Sequence, residues 1–290
     1  MWTLEHTALP YWHRPGQGTA TLVFSTRRGG VSPAPYESLN LGLSTADEPT
    51  SIRENRRRLL ASIGLSHEFL ATAGQVHGAR VCEVTTHGHT PDCDALVTKV
   101  PGLALAVTTA DCMGLVIEAF GASGTASAIG SSGTASAIAA SGAASATAAL
   151  GTASATAVLG TALAVGAAHS GWRGTAAGMP RLALEAVCAL AGSEPARAQV
   201  HIGPCIRGCC YEVGEDVAAH FPAAALRRPG AKPYLDLPTV ARLALVAAGV
   251  PETAIHDTGA CTACEPYWYF SHRRDAGRTG RLWGVAALAR

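Results

Sequence analysis

Two imidazoles and a thiol stand at three turns of similar make-up: Gln75-Val76-His77-Gly78, Thr109-Ala110-Asp111-Cys112 and His169-Ser170-Gly171-Trp172-Arg173-Gly174. Neutral histidine nitrogens and a cysteine thiolate are good ligands for Zn²⁺. Three protein ligands leave a fourth position open, the pattern of a catalytic site and not of a structural one. A zinc ion lowers the pKa of its water to about 7, and the resulting hydroxide can attack an aromatic carbon bearing an amino group, as in nucleobase deamination. The same side chains support a metal-free reading, with Cys112 as nucleophile and His169 as base of an acyl-transfer site. Asp111 is the nearest acid in sequence, but alternation along a strand points it away from Cys112. Each of the three residues taken singly is more often structural; three strand exits of one kind lift the set.

For the three to meet, strands must deliver them. The run ending at Ala167-Ala168 carries His169, and predicted strands at Leu103–Thr108 and Leu115–Phe120 flank Cys112. Further strands are expected at Thr21–Thr26, Val81–Val84, Ala95–Thr98, Gln199–Ile202 and Leu282–Leu288. Several are continuously apolar, as in sheets covered on both faces. The first runs into Arg27-Arg28-Gly29-Gly30, which reads equally as an anion-binding turn or a solvated loop. A helix over Ile52–Ile63 places Asn55 and Arg56 on its less apolar side, where solvent is the ordinary expectation. Past Gly174, Thr175 is a candidate cap for a helix with Met179, Leu182, Ala183, Ala186, Val187 and Leu190 on one stripe and Gly192 at its end. A short helix is expected around Glu215–Phe221, and another over Pro238–Ala248, with proline in the first turn and Gly249 as its stop.

The chain of 290 residues is ample for a packed core. A net charge of +1 recruits neither nucleic acid nor an anionic membrane, which points to a small-molecule partner. Nine cysteines, an odd number, follow a start without a basic or apolar leader, so free or metal-bound thiols in the cytoplasm are expected over a disulfide framework. Cys205, Cys209 or Cys210 could join Cys261-x-x-Cys264 in a zinc ribbon, but the spacing from Cys205 to Cys209 is wider than the usual knuckle, and buried apolar thiols are the favoured reading. Between Ala119 and Trp172 there is no charged residue, yet alanine, glycine, serine and threonine dominate, which disfavours a membrane span.

From Ser123 the chain repeats with a period of nine, and the fifth copy, Leu159–Ala167, leads into His169. The earlier copies lack side chains large enough to offset the entropy of ordering, which predicts a weakly ordered insertion at about 121–158 with no catalytic role. A calcium-binding nonapeptide solenoid needs an aspartate in each repeat, and the tract has none.

The motifs Thr26-Arg27-Arg28-Gly29-Gly30-Val31-Ser32, Ser38-Leu39-Asn40-Leu41-Gly42, Asn55-Arg56, Gln75-Val76-His77-Gly78, Asp94-Ala95-Leu96-Val97-Thr98, Thr109-Ala110-Asp111-Cys112, His169-Ser170-Gly171-Trp172-Arg173-Gly174, Ile202-Gly203-Pro204, Cys210-Tyr211-Glu212-Val213 and Phe270-Ser271-His272-Arg273-Arg274 follow one another across nearly the whole chain. In this order they resemble the laccase-domain or polyphenol oxidase proteins, a family also called purine nucleoside phosphorylases and peptidoglycan editing factors. The resemblance implies one α/β (α+β) domain over 1–290, with layered mixed β-sheets flanked by helices, similar to the cytotoxic necrotizing factor catalytic domain. It implies a catalytic zinc held by His77, Cys112 and His169, with copper able to substitute. The activities it implies are phosphorolysis of adenosine, inosine, guanosine and methylthioadenosine, and deamination of adenosine. Arg56 then becomes a candidate anion or substrate contact, with Arg27 and Asn40 as further candidates; the partners are purine nucleosides and phosphate, with no nucleic acid or membrane, for a monomer or weak homodimer. Two departures from the family pattern stand out: the repeats replace a short hairpin between the cysteine and histidine strands, and Met113-Gly114 follows Cys112 where Leu-Pro is usual.

Two other functions fit the same residues. A hydrolase that edits peptidoglycan precursors would use Cys112 or a zinc hydroxide. Copper-dependent phenol oxidation needs many ordered histidine ligands, and the paired His-x-His pattern occurs only in His87-Gly88-His89. A non-enzymatic reading, a scaffold inactivated by the repeats, would lack stoichiometric metal.

Overall fold

Strands that are apolar on both faces need cover on both sides, and the chain supplies it by stacking two sheets and placing helices on their outer faces. The computed structural model describes residues 2–14, 20–121 and 160–290. Among them, a seven-stranded sheet runs in the spatial order Thr3–Glu5, Tyr11–His13, Ala20–Ser25, Leu282–Leu288, Ala104–Thr109, Leu70–Ala73, Gly88–Thr90. A six-stranded sheet runs Ile255–Asp257, Ala198–Ile202, Met113–Phe120, Ala162–Ser170, Ala95–Thr98, Val81–Glu83. Both are mixed: Leu70–Ala73 is parallel to both its neighbours, and parallel pairs close each end of the second sheet. The fold is therefore a layered mixed α/β architecture with few helices.

Alternation along each strand assigns its side chains to a layer. Val116, Phe120, Val165 and Ala167 meet Phe24, Leu105, Val107 and Ala286 between the sheets. Leu115, Ile117 and Ala168 point the other way, against the helices Met179–Ala191 and Leu237–Ala247. Ala104, Ala106, Val285 and Ala287 face Leu59 and Leu60 of the helix Pro49–Ser62. Glu118 shares the inner face with Val116 and Phe120, so this carboxylate is buried between the sheets, 3.5 Å from Arg14 and 3.4 Å from Nε2 of His201.

Several expectations change. Thr175 does not cap the long helix: it lies inside a short helix, Trp172–Ala176, and its hydroxyl is 2.8 Å from that of Ser170. Gly178, at φ 84°, then turns the chain into Met179–Ala191, because only a left-handed residue makes that break without strain. Asn55 and Arg56 do not face solvent. Asn55 accepts from the N–H of Val31 at 2.8 Å and donates to the carbonyl of Asn40 at 2.9 Å. Arg56 donates twice to the Leu41 carbonyl, at 2.9 and 2.7 Å, and lies over the Trp283 ring. Periodicity missed this because the polar side of the helix is covered by a loop whose backbone groups need partners.

The thiols are not all free: Cys82 and Cys93 form a disulfide. Cys82 pairs in register with Leu96, which brings Cys93, just ahead of that strand, to a Cα separation of 6.3 Å. The strand delivering His169 does use the fifth repeat copy, with Ala162 opposite Phe120 and Ser170 opposite Met113. The expected insertion at about 121–158 lies, apart from Gly121, outside the described residues. No helix among the described residues is long and apolar enough to cross a membrane.

Candidate active site

The strand Ala104–Thr109 belongs to one sheet and Met113–Phe120 to the other, so Ala110-Asp111-Cys112 is where the chain crosses between them. Asp111 adopts φ 86°, and its carboxylate is held by the Thr262 hydroxyl and the Arg273 N–H, both at 2.6 Å. Those two bonds make it a tie between segments and aim it away from Cys112. His77 arrives on the loop after Leu70–Ala73, with positive φ at both Gln75 and His77. The Gln75 side chain anchors that loop: its amide donates to the Thr108 carbonyl and its carbonyl accepts the Thr108 N–H, each at 2.7 Å.

Asp94 organises the rest. Its carboxylate accepts the backbone N–H of His77 at 2.9 Å and of Gly78 at 2.8 Å, while Oδ1 lies 3.0 Å from Nδ1 of His169. Its own carbonyl accepts the His169 N–H at 2.8 Å. An ionised carboxylate only accepts, so Nδ1 of His169 carries the proton and the other ring nitrogen is presented to the site. The ligand atoms of His77, Cys112 and His169 lie within 4.8 Å of one another. Gly171 makes room for them: a Cβ there would stand 3.0 Å from the Cys112 sulfur and 3.5 Å from Nδ1 of His77.

Burial opposes ionisation of the Cys112 thiol, yet His169 and His77 beside it hold it well below the ordinary thiol range. Burial likewise opposes charge on His169, but Asp94 and Cys112 raise it above the ordinary imidazole range. The trio thus concentrates negative charge on sulfur with a proton held opposite, and a cation that takes the proton's place meets a preformed set of donors.

The trio opens into a cavity of about 1330 Å³. Arg53, Arg56, Arg173, Arg273 and Arg281 line it, with Tyr211 on its wall. Burial lowers the Arg56 guanidinium to about 10, still charged at neutral pH, and pushes the Tyr211 hydroxyl up to about 12. Arg27 and Asn40 do not line the cavity. Arg27 donates to the carbonyls of Glu37 and Pro266 and lies over Phe270. Asn40 is buried, donating to Asp47 and accepting the N–H of Arg281 at 2.8 Å, so it reaches the cavity only through that arginine.

Sequence reasoning passed over Asp94, Gln75, Tyr211, Arg273 and Arg281. Asp94, Gln75, Tyr211 and Arg273 all stand within the family-like motifs, and an aspartate just before a wholly buried strand was a further signal for Asp94; Arg281 carried none. Away from the cavity trio, Cys209, Cys210, Cys261 and Cys264 form a second group whose sulfurs also lie within 4.8 Å of one another. That corrects the favoured reading of these four as apolar core thiols, while Cys188 and Cys205 are buried as such residues are.

Residues 21–164 and 160–289 match the family described as multi-copper polyphenol oxidoreductase laccase. The chain belongs to this family. Relatives of this laccase-family chain include a "Purine nucleoside phosphorylase" of Deinococcus radiodurans, 36% identical over 92% of this chain and 88% of its own length. "Purine nucleoside phosphorylase ORF3" of Streptomyces griseus is 34% identical over 94% of this chain and 96% of its own. Among solved structures, YlmD from Geobacillus stearothermophilus superposes with a TM-score of 0.80 at 29% identity, covering 100% of both chains. The hypothetical protein YfiH of Bacillus licheniformis gives 0.78 at 27%, covering 98% of each. The laccase-family fold is thus shared by the described residues.

Proposed function

We propose that the chain is a cytoplasmic, zinc-dependent purine nucleoside phosphorylase acting on adenosine, inosine, guanosine and methylthioadenosine, with adenosine deaminase activity. The observation that carries this reading is the convergence of His77, Cys112 and His169 in a cavity lined by five arginines. The names of the relatives support the phosphorylase class.

The donor set fits zinc: two imidazoles and a thiolate, one imidazole oriented by a carboxylate, and a glycine that leaves the sulfur room. When bound, the ion supplies Lewis acidity, for the departing purine in phosphorolysis or for water in deamination. In phosphorolysis a phosphate oxygen forms a bond to C1′ of the ribose as the bond from C1′ to the purine nitrogen breaks. The attacking anion must be held in line, and guanidinium groups grip phosphate oxygens in pairs. Arg56 is suited to this because its Nε and Nη2 are fixed on Leu41, which sets the plane of the group. Tyr211 keeps its proton at neutral pH and offers a donor to the purine or ribose. Ligand pockets of roughly 300–1,000 Å³ hold drug-sized molecules, so this cavity has room for nucleoside and phosphate together.

Product analysis with adenosine and phosphate tests the proposal, using zinc-quantified protein beside Cys112→Ala. Adenine, ribose 1-phosphate and inosine forming only with Cys112 intact are the expected result. Zinc bound at the trio without turnover of any purine nucleoside overturns it and turns attention to peptidoglycan precursors; phenol oxidation dependent on added copper would replace zinc with copper at the trio.

A further inference from the structure

The second thiol cluster lies outside the cavity trio and takes no part in the function proposed above. Cys209 and Cys210 stand in a tight turn, where the Cys210 N–H reaches the Arg207 carbonyl at 2.8 Å. Cys261 and Cys264 stand in another, where the Glu265 N–H reaches the Cys261 carbonyl at 3.2 Å. An isolated parallel bridge between Cys205 and Cys261 sets the two turns side by side. The sulfurs then converge: Cys209 is 3.5 Å from both Cys261 and Cys264, and Cys210 is 3.2 Å from Cys264.

Those distances decide between three uses of four thiols. A disulfide needs sulfurs about 2.05 Å apart, and the closest of these stand 3.2 Å apart. Core packing requires burial, yet Cys209 and Cys264 are exposed and only Cys261 of the four is buried. Four thiolates about 2.3 Å from one zinc ion stand about 3.8 Å apart at the corners of a tetrahedron, close to the separations seen.

We infer that Cys209, Cys210, Cys261 and Cys264 form a second metal site, a closed four-thiolate site for Zn²⁺. All-sulfur tetrahedral donation selects a thiophilic ion of this class, and four protein ligands leave no open position for substrate. The site's role is to pin two loops beneath the catalytic turn. One loop contributes Ile206, whose N–H reaches the Asp111 carbonyl at 2.9 Å, and Tyr211 on the cavity wall. The other contributes Thr262, bonded to the Asp111 carboxylate at 2.6 Å. A metal joining the loops therefore fixes Asp111, and through it the turn that presents Cys112.

The test is metal content and cobalt spectroscopy of the full-length protein prepared under reducing conditions. The expected result is one equivalent of zinc that is lost in Cys264→Ser and in Cys209→Ser, retained in Cys112→Ala, and recovered in Cys264→His, which restores a ligand. Cobalt added to the zinc-stripped protein should give an intense four-thiolate charge-transfer band that persists in Cys112→Ala and falls in Cys264→Ser to no more than the weak single-thiolate band of the Cys112 site. Failure of the cavity site would instead show as an absence of any zinc dependent on Cys112, leaving this equivalent untouched. Zinc content independent of both Cys209 and Cys264, or mass spectrometry showing these cysteines paired as disulfides in the reduced, folded protein, overturns the inference.

Discussion

Asp94 is bound to both histidines of the site at once: its carboxylate accepts the His77 backbone N–H at 2.9 Å and faces Nδ1 of His169 at 3.0 Å. One side chain therefore sets the position of a loop and the tautomer of a strand-end imidazole. Loss of a carboxylate that orients a ligating histidine typically costs 10–100-fold in metal affinity or activity. Asp94→Asn should fold and lose zinc affinity by about that factor, measured by competition with a chromophoric chelator. Unchanged affinity would show that the His77 loop and His169 hold their places without the carboxylate.

Gly171 is a steric gate on the same donors. Its backbone lies at φ −76°, which any residue tolerates, so substitution tests space and not strain. In Gly171→Ala the new methyl would stand 3.0 Å from the Cys112 sulfur, and the sulfur must move. We expect near-native circular dichroism and melting temperature with at least a tenfold loss (order of magnitude) in turnover and zinc affinity. Full activity in this variant would mean that the cysteine turn yields without consequence.

Glu118 should make stability depend on pH. Burial between the sheets raises its carboxyl from 4.5 to about 7 despite Arg14 nearby. A carboxyl with a raised pKa in the folded state favours folding fully below the unfolded value, and that contribution is lost as pH rises toward the folded value. The loss falls between pH 4.5 and about 7 and amounts to at most roughly 3 kcal/mol. Chemical denaturation of wild type and Glu118→Gln across this window measures it: wild type should weaken relative to the variant as pH rises and then level off. Parallel curves would refute the assignment.

Phe120 and Ala162 are opposite partners at the end of the strand pair that carries Cys112 and His169. Joining Gly121 directly to Gly160 leaves Gly121, Gly160 and Thr161 between those partners, a length and composition suited to a hairpin loop. The shortened protein should keep its fold, zinc content and activity. An insoluble or inactive product would assign the repeats a structural role.

The sequence by itself determined the long buried strands, the identity of the three candidate ligands and the family, but not the short strands Thr3–Glu5, Tyr11–His13, Leu70–Ala73, Gly88–Thr90 and Ile255–Asp257. Strands wholly buried on both faces announce themselves by unbroken apolar runs, and Leu282–Leu288 and Ala95–Thr98 were legible to the residue. Cys112 and His169 were legible because each follows such a run at a turn of small residues, and His77 because its turn is of the same make-up. What only the tertiary structure decided is which distant groups share a point in space. Asp94 meets both histidines because its strand lies beside that of His169 and the loop of His77 folds over its end. Asn55 and Arg56 are buried because a loop, not solvent, covers their side of the helix. The four thiols converge because a parallel bridge aligns two turns about fifty positions apart in the chain. Hydrophobic periodicity is a local property of one element, whereas these contacts depend on strand order and on the pairing of elements remote in sequence.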